Sequence, residues 1–228
     1  MDIAVVDYGM GNLRSVSKAI EQVAPGLEVA VTDDPAEVAR AARVVFPGQG
    51  AMPDCMRELD ARGLRPAVLG AARSKPFLGI CIGLQMLFER SEEGDVAGLG
   101  VLPGRVRRFS ATARADAGGA RFKVPHMGWN RVRQVAAHPL WHGVPDGSRF
   151  YFVHSYYVET AAPGLDAGTS EYPHQFTCAI ARDNVFAVQF HPEKSGSDGL
   201  RLLANFAQWQ PSTLLARPPQ RMPVGTPC

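Results

Sequence analysis

No stretch of about 18 apolar residues occurs anywhere in the sequence, which is the length a membrane-spanning helix needs. The opening MDIAVVDYGMGN has no basic segment ahead of its short apolar run, so neither a membrane span nor a secretion signal is expected. Cysteine is scarce. Cys55, Cys81, Cys178 and Cys228 lie far apart and form no CxxC pair, which argues against a disulfide framework or a structural zinc site and points to a reducing, cytoplasmic setting. An excess of one charge is missing too: 24 Lys and Arg stand against 22 Asp and Glu, a net charge of +2. Composition therefore gives no sign of the one-sided basic surface of a nucleic-acid binder. Internal repeats are absent. His126, His138 and His154 have no metal-ligand spacing and read as structural or hydrogen-bonding residues, so neither a metal nor a cofactor is expected. Gly9-Met10-Gly11 suggests a dinucleotide loop, but Arg14 stands where the third glycine of G-x-G-x-x-G belongs.

What the 228 residues do contain, with 46% hydrophobic side chains, is enough apolar material for one large core. In the first half, short apolar runs alternate with amphipathic ones. DIAVVDYG reads as a strand, NLRSVSKAIEQVA as a helix with Leu13, Val16, Ile20 and Val23 on one side, and ARVVFPGQG as a strand ending in a Pro/Gly turn. Residues 52–74 read as one helix, PFLGI as a strand, and GLQMLFERSEE (83–93) as a helix. Such alternation implies a parallel sheet covered on both faces. The second half is mostly β, in GRVRRF, GWNRVRQV, RFYFVHSYYVE, FTCAIA and VFAVQF, with a hairpin expected at Asp183-Asn184. These segments are expected to extend the sheet with antiparallel strands, and SDGLRLLANFAQWQ closes the domain as a helix. The domain is expected to span 1–210. The Pro-rich 211–228 reads as a disordered tail, and 110–122 as a flexible loop.

Cys81 sits between Gly79 and Gly83 where a strand becomes a helix. A G-x-nucleophile-x-G elbow has this form, with small neighbours allowing a strained turn above the sheet edge. A helix N-terminus there favours thiolate; a lone cysteine in an apolar run can equally be a small core residue. Far downstream, the strand VFAVQF ends in His191-Pro192-Glu193. His191 can move a proton, and Glu193, two residues on, can fix its tautomer. FPGQG (46–50) ends a third strand in a turn able to offer backbone N–H groups to an oxyanion.

Taken together, FPGQG, GICIGLQMLFERSEE and QFHPEKS resemble the class I glutamine amidotransferases in order and spacing, over residues 1 to about 209. Within that family, DYGMGNLRSV and KVPHMGWN (123–130) look like the glutaminase subunits of imidazole glycerol phosphate synthases, which serve histidine biosynthesis. The resemblance implies a flavodoxin-like three-layer αβα sandwich. It also implies glutamine hydrolysis by Cys81, His191 and Glu193, with an oxyanion hole from Ile82 and the Gln49-Gly50 turn, which must rearrange to complete it. Gly48, Gln85, Glu93, Ser155 and Tyr156 match substrate-contacting positions, Glu93 as counter-charge to the α-ammonium. A separate cyclase subunit, a β/α barrel, is implied as heterodimer partner and recipient of the ammonia, with Asn12, Trp129, Tyr151 and Lys194 at the interface. Service to another synthase, or an inactive amidotransferase-like binding module, are the alternative readings.

Overall fold

A computed structural model describes residues 1–110 and 122–212. The expected loop over 110–122 and tail over 211–228 therefore fall almost wholly outside the described residues. In chain order the first half gives β1 (Ile3–Val6), α1 (Leu13–Val23), β2 (Val29–Thr32), α2 (Pro35–Arg40), β3 (Arg43–Phe46), α3 (Met52–Ala61), α4 (Arg65–Ser74), β4 (Phe77–Ile80) and α5 (Ile82–Met86). The second half gives β5 (Arg90–Ser91), β6 (Val96–Ala97), β7 (Gly104–Arg108), β8 (His126–Arg131), β9 (Arg133–Gln134), β10 (Arg149–His154), β11 (Tyr156–Thr160), β12 (Asp166–Glu171), β13 (Gln175–Arg182), β14 (Val185–Val188) and α6 (Gly196–Gln208).

Strands β2, β1, β3, β4 and β14 lie side by side in that order, all parallel. This is the flavodoxin-like order, in which carboxyl ends of the strands share one edge and ligands bind there. Strands β1, β3, β4 and β14 each alternate between two cores, while the edge strand β2 leaves Val31 exposed. Ile3, Val5, Val45, Leu78, Ile80, Phe186 and Val188 pack with α1 and α6, through Val16, Ile20, Leu203 and Phe206. Val6, Val44, Phe46, Phe77 and Ala187 pack on the other face with Val38, Met56, Leu59 and Val68 of α2, α3 and α4. The period of two, buried on both sides, is what a central parallel sheet requires. Beyond β14 the sheet continues antiparallel through β13 and β11 to β7, and the expected hairpin is present, with Arg182 opposite Val185 and Asp183 at φ +53°. β8 and β10 form a separate two-stranded antiparallel ribbon, with Trp129 opposite Tyr151 and His126 opposite His154.

The helix expected over 83–93 ends instead at Met86. The carbonyls of Met86 and Leu87 accept from the amides of Leu99, Val101 and Leu102, so the returning backbone takes the groups that would have continued it. Gly98 allows this approach, since a Cβ there would lie 2.2 Å from the Phe88 oxygen. The single helix expected over 52–74 is broken at Gly63, at φ +66°. The long strand expected over 149–159 divides at Ser155 between the ribbon and the main sheet.

Candidate active site

Cys81 directly follows β4 and adopts φ +57°, ψ −115°, a conformation that costs a non-glycine residue on the order of 1–3 kcal/mol. Its amide carries the β4–β14 pairing one residue further by donating to the Val188 carbonyl at 2.8 Å. The flanking glycines supply space rather than unusual dihedrals. A Cβ on Gly79 would lie 2.9 Å from the Ala187 methyl, and one on Gly83 would lie 1.9 Å from the backbone oxygen of Phe46. The helix that follows has only five residues. The extended helix dipole expected to favour thiolate is therefore shortened, and the charge facing Cys81 comes from elsewhere.

It comes from His191. Its Nδ1 is 2.9 Å from Glu193 Oε1, and the two side chains are only 6% and 1% exposed. A carboxylate oxygen accepts, so Nδ1 holds a proton and Nε2 is the nitrogen left for chemistry. Nε2 is buried and has no hydrogen-bond partner among the described residues. Burial pushes the imidazole pKa down, but Cys81 and then Glu193 outweigh it and raise it to about 10. Cys81 exerts this effect without a well-formed hydrogen bond. Two contacts fix this segment to the ribbon, His191 N–H donating to the Tyr151 carbonyl at 2.9 Å and Tyr151 N–H to Ser195 Oγ at 3.0 Å, and within the segment Ser195 Oγ donates to the His191 carbonyl at 2.6 Å. A cysteine on a strained elbow, an imidazole with one free nitrogen and a carboxylate orienting the other can together perform acyl transfer.

The turn after β3 packs against the elbow. A Cβ on buried Gly48 would lie 1.8 Å from the Tyr8 hydroxyl and 2.5 Å from Ile82 Cγ2. Gln49 and Gly50 are exposed, Gly50 at φ +117°, a backbone conformation that favours glycine. The Gln49 carbonyl accepts from Cys55 Sγ at 3.8 Å. Cys55 is pushed up to about 11, chiefly by burial, and so keeps its proton as a donor. The Tyr8 hydroxyl lies near enough to perturb that thiol without reaching hydrogen-bonding geometry, and it is buried and unpartnered among the described residues.

The other nominated residues fall into two groups. Gln85 is buried, its Nε2 donating to Gln189 Oε1 at 2.8 Å and to the Tyr156 carbonyl at 3.2 Å, and Gln189 in turn reaches Cys81 Sγ at 3.8 Å. Half-buried Glu93 accepts from the Met52 amide at the start of α3, at 2.8 Å. Ser155 and Tyr156 are half-buried at the junction of β10 and β11. On the outside, Trp129 is 53% exposed and meets Tyr151 edge-on with ring centroids 6.2 Å apart, while Lys194 Nζ is 6.0 Å from the Tyr151 centroid. Asn12 is exposed beside Gly11, where a Cβ would come within 3.3 Å of Gly48 Cα. Gln189, Tyr8 and Cys55 are the site residues that sequence reasoning missed. Among the described residues no three His, Cys, Asp or Glu side chains are grouped to hold a metal ion, and no helix is long and apolar enough to cross a membrane. Cavities of about 670 Å³, near Arg131 and Glu171, and about 450 Å³, near Leu99 and Arg182, contain none of the three triad candidates.

A parallel sheet that brings a cysteine elbow, a His-Glu pair and a glycine turn to one edge is an arrangement able to carry cysteine-dependent acyl transfer. Residues 4–209 match the family Glutamine amidotransferase class-I, and the chain belongs to that family. Its relatives include the imidazole glycerol phosphate synthase subunit HisH of Aromatoleum aromaticum, 68% identical over 92% of this chain and 99% of that one. The subunit HisH of Thiobacillus denitrificans is 67% identical over 92% of both chains. Among solved structures, the glutaminase domain of Trypanosoma brucei CTPS with bound acivicin superimposes with a TM-score of 0.61 at 17% identity, over 92% of this chain and 95% of that one. A glutamine amidotransferase from Thermotoga maritima gives 0.56 at 18%, over 85% and 76%. These two share the fold.

Proposed function

We propose that this chain is the glutaminase subunit of imidazole glycerol phosphate synthase, that it releases ammonia from L-glutamine through Cys81, His191 and Glu193, and that it passes the ammonia to a cyclase barrel in the cytoplasm. Support for the triad rests on one observation above all: the imidazole has Nδ1 tied to Glu193 at 2.9 Å, Nε2 free and its proton affinity raised by Cys81. Identity of 67–68% to HisH subunits supports the pathway. In the reaction, Cys81 gives its proton to His191 Nε2 and the thiolate attacks the side-chain amide carbon of glutamine, forming a C–S bond while the carbonyl π bond opens to an oxyanion. His191 Nε2 delivers its proton to the amide nitrogen, the C–N bond breaks, and ammonia departs. Water then attacks the thioester, His191 takes its proton, and breaking the C–S bond frees glutamate and Cys81.

The oxyanion is received by the Ile82 amide and the Gln49-Gly50 turn. In this structure the Gln49 carbonyl is occupied by Cys55, which fits a turn that has yet to rearrange. Gly48, Gln85, Glu93, Ser155 and Tyr156 are assigned to the substrate pocket, Gln85 from beneath it, and no cofactor is required. The exposed Trp129, Tyr151 beneath it, Lys194 and Asn12 form the docking face for the cyclase. Free ammonia is protonated and diluted at neutral pH, so a closed interface preserves the nucleophile. Glutamate release is to be measured for the chain alone, with the cyclase, and with the cyclase plus its nucleotide ligand. The expected result is very low activity alone and a rise through kcat, because a misplaced oxyanion donor costs about 10² to 10³ in rate. Full activity of the isolated chain would overturn the gating, and indifference to the cyclase would favour service to another synthase.

A further inference from the structure

Between Cys81 and the exposed ribbon runs a line of hydrogen-bonded polar groups, most of them buried, in which Gln189, His154, His126 and Asn130 have no part in the reaction above. Gln189 is wholly buried and directs Nε2–H to Cys81 Sγ at 3.8 Å, while its Oε1 accepts from Gln85 Nε2 at 2.8 Å. Gln85 Nε2 also donates to the Tyr156 carbonyl at 3.2 Å. A backbone carbonyl can only accept, so the Gln85 amide can face one way only. It follows that Gln189 must turn its oxygen to Gln85 and its NH₂ to the sulfur. The same carbonyl accepts from His154 Nδ1 at 2.7 Å, which makes His154 Nε2 the acceptor for His126 Nδ1 at 3.0 Å, and His126 Nε2 the acceptor for Asn130 Nδ2 at 3.2 Å. Asn130 Nδ2 donates as well to the Glu171 carbonyl at 3.0 Å, which fixes that amide too. The Tyr156 carbonyl thus orients the donors from Gln189 to His126, and the Glu171 carbonyl orients Asn130.

We infer that Gln189 is a positioning residue for Cys81, held in its working orientation through Gln85 by the Tyr156 carbonyl. A sulfur that accepts from Gln189 cannot aim its own S–H at that amide, so any thiol proton is directed away from it, and the side chain is pinned in one rotamer. The inference rests on Cys81 being the nucleophile. Gln189→Met keeps the side-chain length and removes the donor, and Gln85→Met removes the group that orients it.

In the complex with the cyclase, the expected result for Gln189→Met is a kcat about tenfold lower, the order of one charge-assisted hydrogen bond, with KM for glutamine within twofold. Alkylation of Cys81 by iodoacetamide should slow by a similar factor, with the melting temperature within a few degrees of wild type. Gln85→Met should slow alkylation in the same direction, and the double variant should be no slower than Gln189→Met, because the two act in series. Wild-type kcat and alkylation in Gln189→Met would overturn the inference. So would a loss of kcat matched only by a fall in melting temperature, with alkylation unchanged. Alkylation reads the sulfur directly, so its response survives even if glutamine is not the substrate, whereas glutaminase activity persisting in Cys81→Ala would sink the underlying reading by itself.

Discussion

Gly83 faces the last carbonyl of β3, and Gly83→Ala tests whether the elbow and the glycine turn form one unit. The added methyl would lie 1.9 Å from the Phe46 oxygen and 3.0 Å from its carbon, whereas a C–H···O contact needs about 3.3 Å. Both partners are backbone, so no side-chain rotation relieves the overlap. Phe46 is held in register opposite Gly79, and Gly83 lies in the first turn after Cys81. The elbow must therefore retreat from β3 by roughly 1 Å. Pro47 and Gly48 follow Phe46 directly, so Cys81 and Ile82 move away from the turn as well. Overpacking of this kind costs about 1–3 kcal/mol, and a misplacement of about 1 Å at reacting groups costs about 10²-fold in rate. Urea unfolding and glutaminase assays of the complex should show both losses. Gly70→Ala on α4 is the control: a Cβ there meets nothing within 4 Å, so it should stabilise by about 0.4–1 kcal/mol. A Gly83→Ala variant with a wild-type urea midpoint and more than half of wild-type activity would refute the reasoning.

Cys81→Ala should abolish glutamine-dependent turnover while the complex still accepts ammonium salts at high pH, and loss of both would point to a structural role for the sulfur. Fully buried His154 is pushed down to about 3, first by burial, while the unfolded chain titrates near 6.5. The unfolded state then binds the extra proton as pH falls below 6.5, so His154 alone should cost about 2 kcal/mol of stability at pH 5 relative to neutrality. His154→Gln should flatten that part of the urea-midpoint profile, and an unchanged slope between pH 7 and 5 would contradict the assignment. Trp129→Ala should weaken cyclase binding by about 30-fold or more, as truncation of a central aromatic anchor does; an unchanged Kd by calorimetry would remove it from the docking face.

Most of the parallel half was legible because its signals are local, although β2 and the six-residue α2 went unread. Four-residue apolar runs, helical spacing of Val16 and Ile20, and glycines around Cys81 each mark one element or one turn. His191 and Glu193 were legible for the same reason, since the pair closes across two residues. The end of α5 was not, because carbonyls of Met86 and Leu87 are claimed by backbone that returns only at Leu99–Leu102. β12 was missed because Asp166–Glu171 reads DAGTSE, with little β-branched or aromatic character, and gains strand form only by pairing with β13. Gln85 and Gln189 lie on separate elements, and their amides meet only after folding. Tyr8 and Cys55 carried no signal, since a strand-end tyrosine and a helical cysteine are ordinary core residues until the turn at Gly48 is laid over them.

The two bonds joining Tyr151 to the 191–195 segment give the two halves of the site different mountings. Cys81 is bolted to the parallel sheet through Val188, whereas the main chain of His191 hangs from β10, a strand of the separate ribbon. Cys81 and His191 thus take their main-chain support from different strands, linked by the short span from Val188 to His191 and by the buried amides of Gln189 and Gln85. A displacement of β10 would therefore be passed to the main chain of His191 through the Tyr151 carbonyl, whereas the Cys81 amide is held by Val188.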